Sequence, residues 1–152
     1  MYRHEDRRQL ELEQFYLPFE GHLSRDNRWV KLAKLIPWEE FEESYAATLA
    51  DSGQGAPAKP FRMALGALLI KEKLRITDEE TVEQLTENPY LQFLIGLEGY
   101  RPEPPFDPSM LVHFRKRISA QMLTRINERV HEEQVKKNRK TIRRLKRKKM
   151  LK

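Results

Sequence analysis

The chain has 152 residues, enough for one modest domain with its own core and too few for a second of similar size. It has no cysteine, and its four histidines (His4, His22, His113, His131) are scattered with no i,i+4 pair among them, which excludes disulfides and thiolate sites and argues against a structural zinc. The longest apolar run, Met63 to Ile70, is eight residues against the roughly 18 needed to span a bilayer, and no signal-peptide pattern opens the chain, so a cytosolic protein with no cofactor and no membrane partner is expected.

The net charge of +6 is sharply divided along the chain. From Lys136 to Lys152 there are 11 basic and no acidic residues, whereas the other 135 residues carry 18 basic against 23 acidic, a net of −5. Such a block repels itself and cannot bury its charges, so residues 136–152 are expected to form a disordered or fraying helical tail whose natural partner is a polyanion. A linker whose charge has no selected role fits the same composition.

Residues 1–25 read as an N-terminal arm. Met1 to Gln14 is charged and at most loosely helical, and the apolar, proline-broken Phe15-Tyr16-Leu17-Pro18-Phe19 suits either an extended arm on the domain or a contact for a second subunit. Residues 26–135 read as a compact helical domain. Asp26 or Asn27 caps a helix through Ile36, with Trp29, Leu32, Ala33 and Ile36 on one face. Pro37 suits the first position of a second helix, in which Trp38, Phe41, Tyr45 and Leu49 face inward, and Glu39, Glu40, Glu42 and Glu43 suit its positive end rather than a metal or acid–base site.

Asp51 to Lys59 is a glycine- and proline-bearing loop, and Pro60 opens a third helix, apolar almost all round from Met63 to Ile70 and therefore expected at the centre. Gly66 within it predicts a close approach by a neighbouring helix. Thr77 with Glu80 makes a capping box for a fourth helix, and the short turn from Arg75 to Thr77 makes the third and fourth helices a helix-turn-helix-like pair. Pro89 starts a short core helix containing Leu91, Phe93, Leu94 and Ile95, and a loop from Gly96 to Pro108 follows, with Tyr100 and Arg101 at its tip. No strand-like alternation, glycine-rich phosphate loop or internal repeat is present, so the fold class is all-α.

The most informative stretch is Pro104-Pro105-Phe106-Asp107-Pro108-Ser109-Met110-Leu111-Val112-His113-Phe114-Arg115-Lys116-Arg117-Ile118. Pro108 keeps Asp107 extended, so a helix is expected to start with Ser109 as its N-cap. At about 100° per residue, Leu111, Phe114 and Ile118 share one face, His113, Lys116 and Arg117 project from the other, and Arg115 lies on the flank. An apolar stripe docked on its own domain with cations free for phosphates or base edges is what a DNA-reading helix needs, although ordinary solvated surface has the same pattern. After Ser119, a last helix carries Leu123, Ile126 and Val130 along one edge and is able to continue into the tail.

Taken with Asp78-Glu79-Glu80-Thr81-Val82-Glu83-Gln84, Glu87-Asn88-Pro89-Tyr90-Leu91-Gln92 and Phe93-Leu94-Ile95-Gly96-Leu97, the Phe106-Asp107-Pro108-Ser109 and His113-Phe114-Arg115-Lys116-Arg117-Ile118 blocks resemble the N-terminal domain of bacterial insertion-sequence transposases of the broad insertion-sequence-five superfamily. Asn27 to Ala33 and Pro60 to Leu65 fit the same pattern, so the resemblance runs from about Asp26 to Val130. It implies a helical module that binds double-stranded DNA at the terminal inverted repeats of an element. In the family a metal-dependent Asp-Asp-Glu domain follows, whereas this sequence reaches Lys152 before any segment suited to it, so a binding rather than a catalytic role is expected.

The expected DNA contacts are His113, Arg115, Lys116 and Arg117 on the short helix, and Lys136, Lys137, Arg139, Lys140, Arg143, Arg144, Lys146, Arg147, Lys148 and Lys149 in the tail. Two alternatives share these residues. One is a truncated transposase that regulates by pairing with itself or with a full-length copy. The other is an RNA-associated helical protein, against which the lack of an aromatic-studded sheet motif argues.

Overall fold

The computed structural model describes residues 11–18, 21–49 and 58–151. Among them are seven α-helices and no strand, in keeping with the all-α expectation: α1 (Arg28–Leu35), α2 (Trp38–Ala47), α3 (Phe61–Leu74), α4 (Asp78–Glu87), α5 (Pro89–Leu94), α6 (Met110–Arg117) and α7 (Ala120–Met150). Residues 1–10, Phe19, most of the loop expected at Asp51 to Lys59 and Lys152 lie outside the described residues.

The helix boundaries follow local chemistry. Asn27 accepts the Trp29 amide at 2.8 Å to open α1. Pro37 stands just outside α2 as its N-cap rather than inside as its first residue, and the Trp38 indole donates to the Ala33 carbonyl at 3.0 Å across the bend. At the end of α3, Arg75 takes the left-handed conformation (φ 53°, ψ 53°), which turns the chain sharply towards α4. Thr77 accepts the Glu80 amide at 3.0 Å, but the capping box is only half formed, because the Glu80 carboxylate receives the Gln84 side-chain amide at 3.1 Å instead. Asn88 closes α4 and opens α5, accepting from Tyr90 N at 2.9 Å.

α3 is central, as its all-round apolarity requires, and α2, α4, α5 and α6 pack on it; α1 lies on α5 and is flanked by α7. Every residue from Met63 to Ile70 is buried. The glycine in that run has the role anticipated for it: a methyl group at Gly66 would meet Ile95 Cγ2 at 2.9 Å, so only hydrogen lets the end of α5 approach so closely.

Two polar side chains hold the short α5. Gln92, fully buried, donates to the carbonyls of Leu85 and Arg101 (2.8 Å each) and accepts the Arg101 amide at 3.0 Å. Arg62 donates to the carbonyls of Leu94 (2.9 Å) and Phe93 (2.8 Å), placing a cation at the negative end of α5, and its guanidinium lies 4.9 Å from the centre of the Trp38 ring.

Gln92 also holds the backbone of the Gly96 to Pro108 loop, although the Arg101 side chain at its tip is exposed. The Arg101 backbone is clamped to α5, and Tyr100 N donates to Tyr16 O at 2.8 Å while Tyr16 N donates to Glu98 O at 3.0 Å. The arm and the loop therefore hold each other. Phe15 is buried with its ring edge-on to Phe93, centroids 5.9 Å apart, which is the packing expected of an arm lying on the domain.

Candidate functional site

α6 begins differently from the expectation. Ser109 is already helical (φ −62°, ψ −21°) and makes no side-chain cap; Asp107 caps instead, its Oδ1 accepting from Ser109 N at 2.9 Å and its carbonyl from Met110 N at 2.9 Å. Pro108, with fixed φ and no amide to satisfy, is suited to the first helical turn, and this moves the cap one step ahead of it. The hydrogen bonds from Ser109 hold the Asp107 carboxyl below the usual carboxylate range.

The apolar stripe is as anticipated: Leu111, Phe114 and Ile118 are buried, and Phe114 meets Phe106 edge-on at 5.2 Å between centroids. α6 is thereby seated on α3, the first member of the helix-turn-helix-like pair.

The four cationic candidates of α6 are not equivalent. His113 and Lys116 are exposed, with no carboxylate in ion-pair reach among the described residues. Arg115 forms a bidentate pair with Asp78 in the first turn of α4 (2.8 and 3.0 Å), and Lys71 approaches the same carboxylate at 3.4 Å. The Arg115 hydrogen bonds push the Asp78 pKa down and raise that of Arg115.

Arg117 departs from its expected placement. It is half-buried and its charge lies near Tyr45 of α2, where burial raises the Tyr45 pKa and the Arg117 guanidinium partly offsets that rise, while Arg117 Nη1 is buried without a hydrogen-bond partner among the described residues. The reason is position: Arg117 is the last residue of α6, one before the buried Ile118. Lys116→Ala is therefore expected to change stability by no more than about 0.5 kcal/mol, and Arg117→Ala to cost about 1 to 3 kcal/mol. Urea denaturation of the two variants checks this; equal midpoints would refute the difference.

α7 has two halves. In the first, Ile126 is fully buried, Met122, Leu123 and Val130 are partly buried, Arg125 lies 5.6 Å from the Phe41 ring centre, and Arg129 pairs with Glu40 at 3.0 Å. Beyond it the same helix continues to Met150 with every residue from Lys136 onward exposed. All ten tail candidates, from Lys136 to Lys149, thus stand on one helical extension; at 1.5 Å per residue its 15 residues reach about 22 Å. Lys136 lies 3.5 Å from Glu133, and the other nine have no acidic partner among the described residues.

Like charges recur at i,i+4 through Lys136, Lys140, Arg144 and Lys148, and again through Arg139, Arg143 and Arg147. Each such pair costs roughly 0.2 to 0.5 kcal/mol of helix stability, a cost that an adjacent polyanion removes.

Among the described residues no three His, Asp or Glu side chains are grouped to hold a metal ion, and no helix is long and apolar enough to cross a membrane. Sequence reading missed Gln92 and Arg62. The only available signal for Gln92 was one polar residue inside an otherwise apolar helix.

No solved structure matches the chain. An uncharacterised protein, ORF8 in the nfe locus of Rhizobium meliloti, is 39% identical over 94 residues, which are 62% of this chain and 44% of that protein; the matched part is thus less than half of the relative's length. Residues 17–117 match the family described as "Transposase domain (DUF772)", covering both members of the helix-turn-helix-like pair and all of α6. The chain belongs to this transposase-domain family.

Proposed function

We propose that this chain is the DNA-binding N-terminal part of an insertion-sequence transposase of the insertion-sequence-five type, holding element ends in double-stranded DNA. The observation that carries the reading is the exposed cationic half of α7, a helical row of Lys and Arg that leaves a domain otherwise net negative. In it Lys136, Lys137, Arg139, Lys140, Arg143, Arg144, Lys146, Arg147, Lys148 and Lys149 neutralise phosphates irrespective of sequence.

α6 supplies the part able to discriminate. His113 and Lys116 have unengaged donors for base edges or phosphates. Arg115 contacts DNA through the N–H groups that its pairing with Asp78 leaves over, and that pairing ties α6 to the start of α4. Arg117 acts chiefly by holding the end of α6 on α2.

Salt dependence tests the assignment. If about half the tail cations meet phosphates, the log–log slope of affinity against salt is roughly −5. Lys140, Arg143, Arg144, Arg147 and Lys148 share one helical face; if that face is the half that meets phosphates, replacing all five with glutamine is expected to reduce the slope's magnitude by about 4. An unchanged slope in that variant, or a wild-type chain whose affinity for duplex DNA is indifferent to salt, would overturn the reading.

A further inference from the structure

A second cationic surface lies away from α6 and from the exposed tail. α1, the end of α3 and the packed half of α7 enclose a cleft of about 640 Å³. Arg28 and Lys31, one helical turn apart on α1, line it together with Lys73 of α3, and no carboxylate does. These residues belong to the part of the chain that is net negative, so three cations without an acid between them are a local inversion of its charge.

The contrast with the cleft between α4 and the loop before α6 is direct. That one is lined by Glu79, Glu83, Glu87 and Asp107 and repels the ligand that the first attracts. Positive groups above an apolar floor focus the potential, because field lines avoid the low-dielectric interior; here Trp29, Leu32 and Leu35 form that floor.

Arg28, Lys31 and Lys73 make no ion pair with any described residue. The Arg28 guanidinium sits 4.8 Å from the Trp29 ring centre, a contact that keeps its charge and leaves N–H groups to donate. On the facing wall, Asn127, His131 and Gln134 of α7 add the polar side chains that commonly accompany cations at a sugar–phosphate strand. Gln134 is two residues before Lys136, so the cleft opens where the exposed cationic stretch of α7 starts.

We infer that the α1–α7 cleft is a second phosphate-backbone contact for duplex DNA, continuing the track begun by the tail. The inference rests on the DNA-binding reading above and adds to it a contact made by the folded domain, which fixes how α7 lies relative to the duplex.

The test uses the full chain and a non-specific DNA duplex. Lys31→Ala/Lys73→Ala removes two exposed cations; the control is Lys34→Ala, on the same helix but lining a different cleft with Glu11, Glu13 and Arg25. At about 0.9 per phosphate contact, the double variant is expected to lower the magnitude of the salt slope by about 2, and the control to leave it unchanged. Lysine acetylation read by mass spectrometry should show Lys31 and Lys73, but not Lys34, protected when the duplex is added.

If the wild type binds with a steep slope while the double variant matches it and Lys31 and Lys73 stay reactive, the cleft assignment falls and the tail assignment survives. Equal slope losses in the double variant and the control would mean diffuse attraction, and would also overturn it. A wild-type chain that does not bind duplex DNA removes the underlying reading, and this inference with it.

Discussion

Phe114→Ala is expected to cost about 3 to 5 kcal/mol of folding stability, the range for emptying a fully buried aromatic site. Phe114 has no exposed surface, and its ring is the partner of Phe106 in the edge-on contact that closes the loop before α6 onto the domain. Removing it leaves a cavity bounded by elements that cannot all collapse, since α3 beneath it is rigid and packed on four sides. The variant should therefore unfold at distinctly lower urea concentration, with a loss of DNA binding that follows the loss of folded protein. Lys116→Ala, by contrast, should weaken binding at an unchanged midpoint. Both are measured by chemical denaturation beside a binding isotherm; a Phe114→Ala chain of wild-type stability would show that α6 is not seated through this ring.

Gln92→Leu is expected to cost about 2 to 4 kcal/mol although it keeps the residue's volume, because it orphans buried groups rather than emptying space. Gln92 uses both ends of its side chain: the amide nitrogen satisfies the carbonyls of Leu85 and Arg101, and its oxygen satisfies the Arg101 amide. Leucine leaves those groups without that partner and releases the loop between α5 and α6 at its midpoint. Hydrogen exchange should then show faster exchange at Arg101 and at Tyr100, whose amide is bonded to Tyr16. Unchanged protection at both amides, with wild-type stability, would mean that the loop is held from elsewhere.

Neither expectation was accessible from the same kind of pattern. Phe114 was legible in the sequence, since Leu111, Phe114 and Ile118 recur at helical spacing and the recurrence specifies a buried face whatever it is buried against. Gln92 was not, because a single polar residue in Leu91 to Ile95 is equally compatible with a solvent edge. Its partners come from the end of one helix and the middle of a loop.

The same division runs through the candidate interface. Charge and periodicity along the chain determined that the protein is helical, that α3 is central, that Gly66 admits a close neighbour, and that positive charge is concentrated after residue 135; each rests on residues a turn or two apart or on composition alone. Which cations remain free was decided by tertiary structure. Arg115 is engaged by a carboxylate 37 residues away, Arg117 by a tyrosine on α2, and Arg28, Lys31 and Lys73 are gathered from two helices around one acid-free cleft. A helical pattern states which side chains share a face, but a charge is cancelled or left available by whatever the fold brings opposite it, and that is set by the packing of elements distant in sequence.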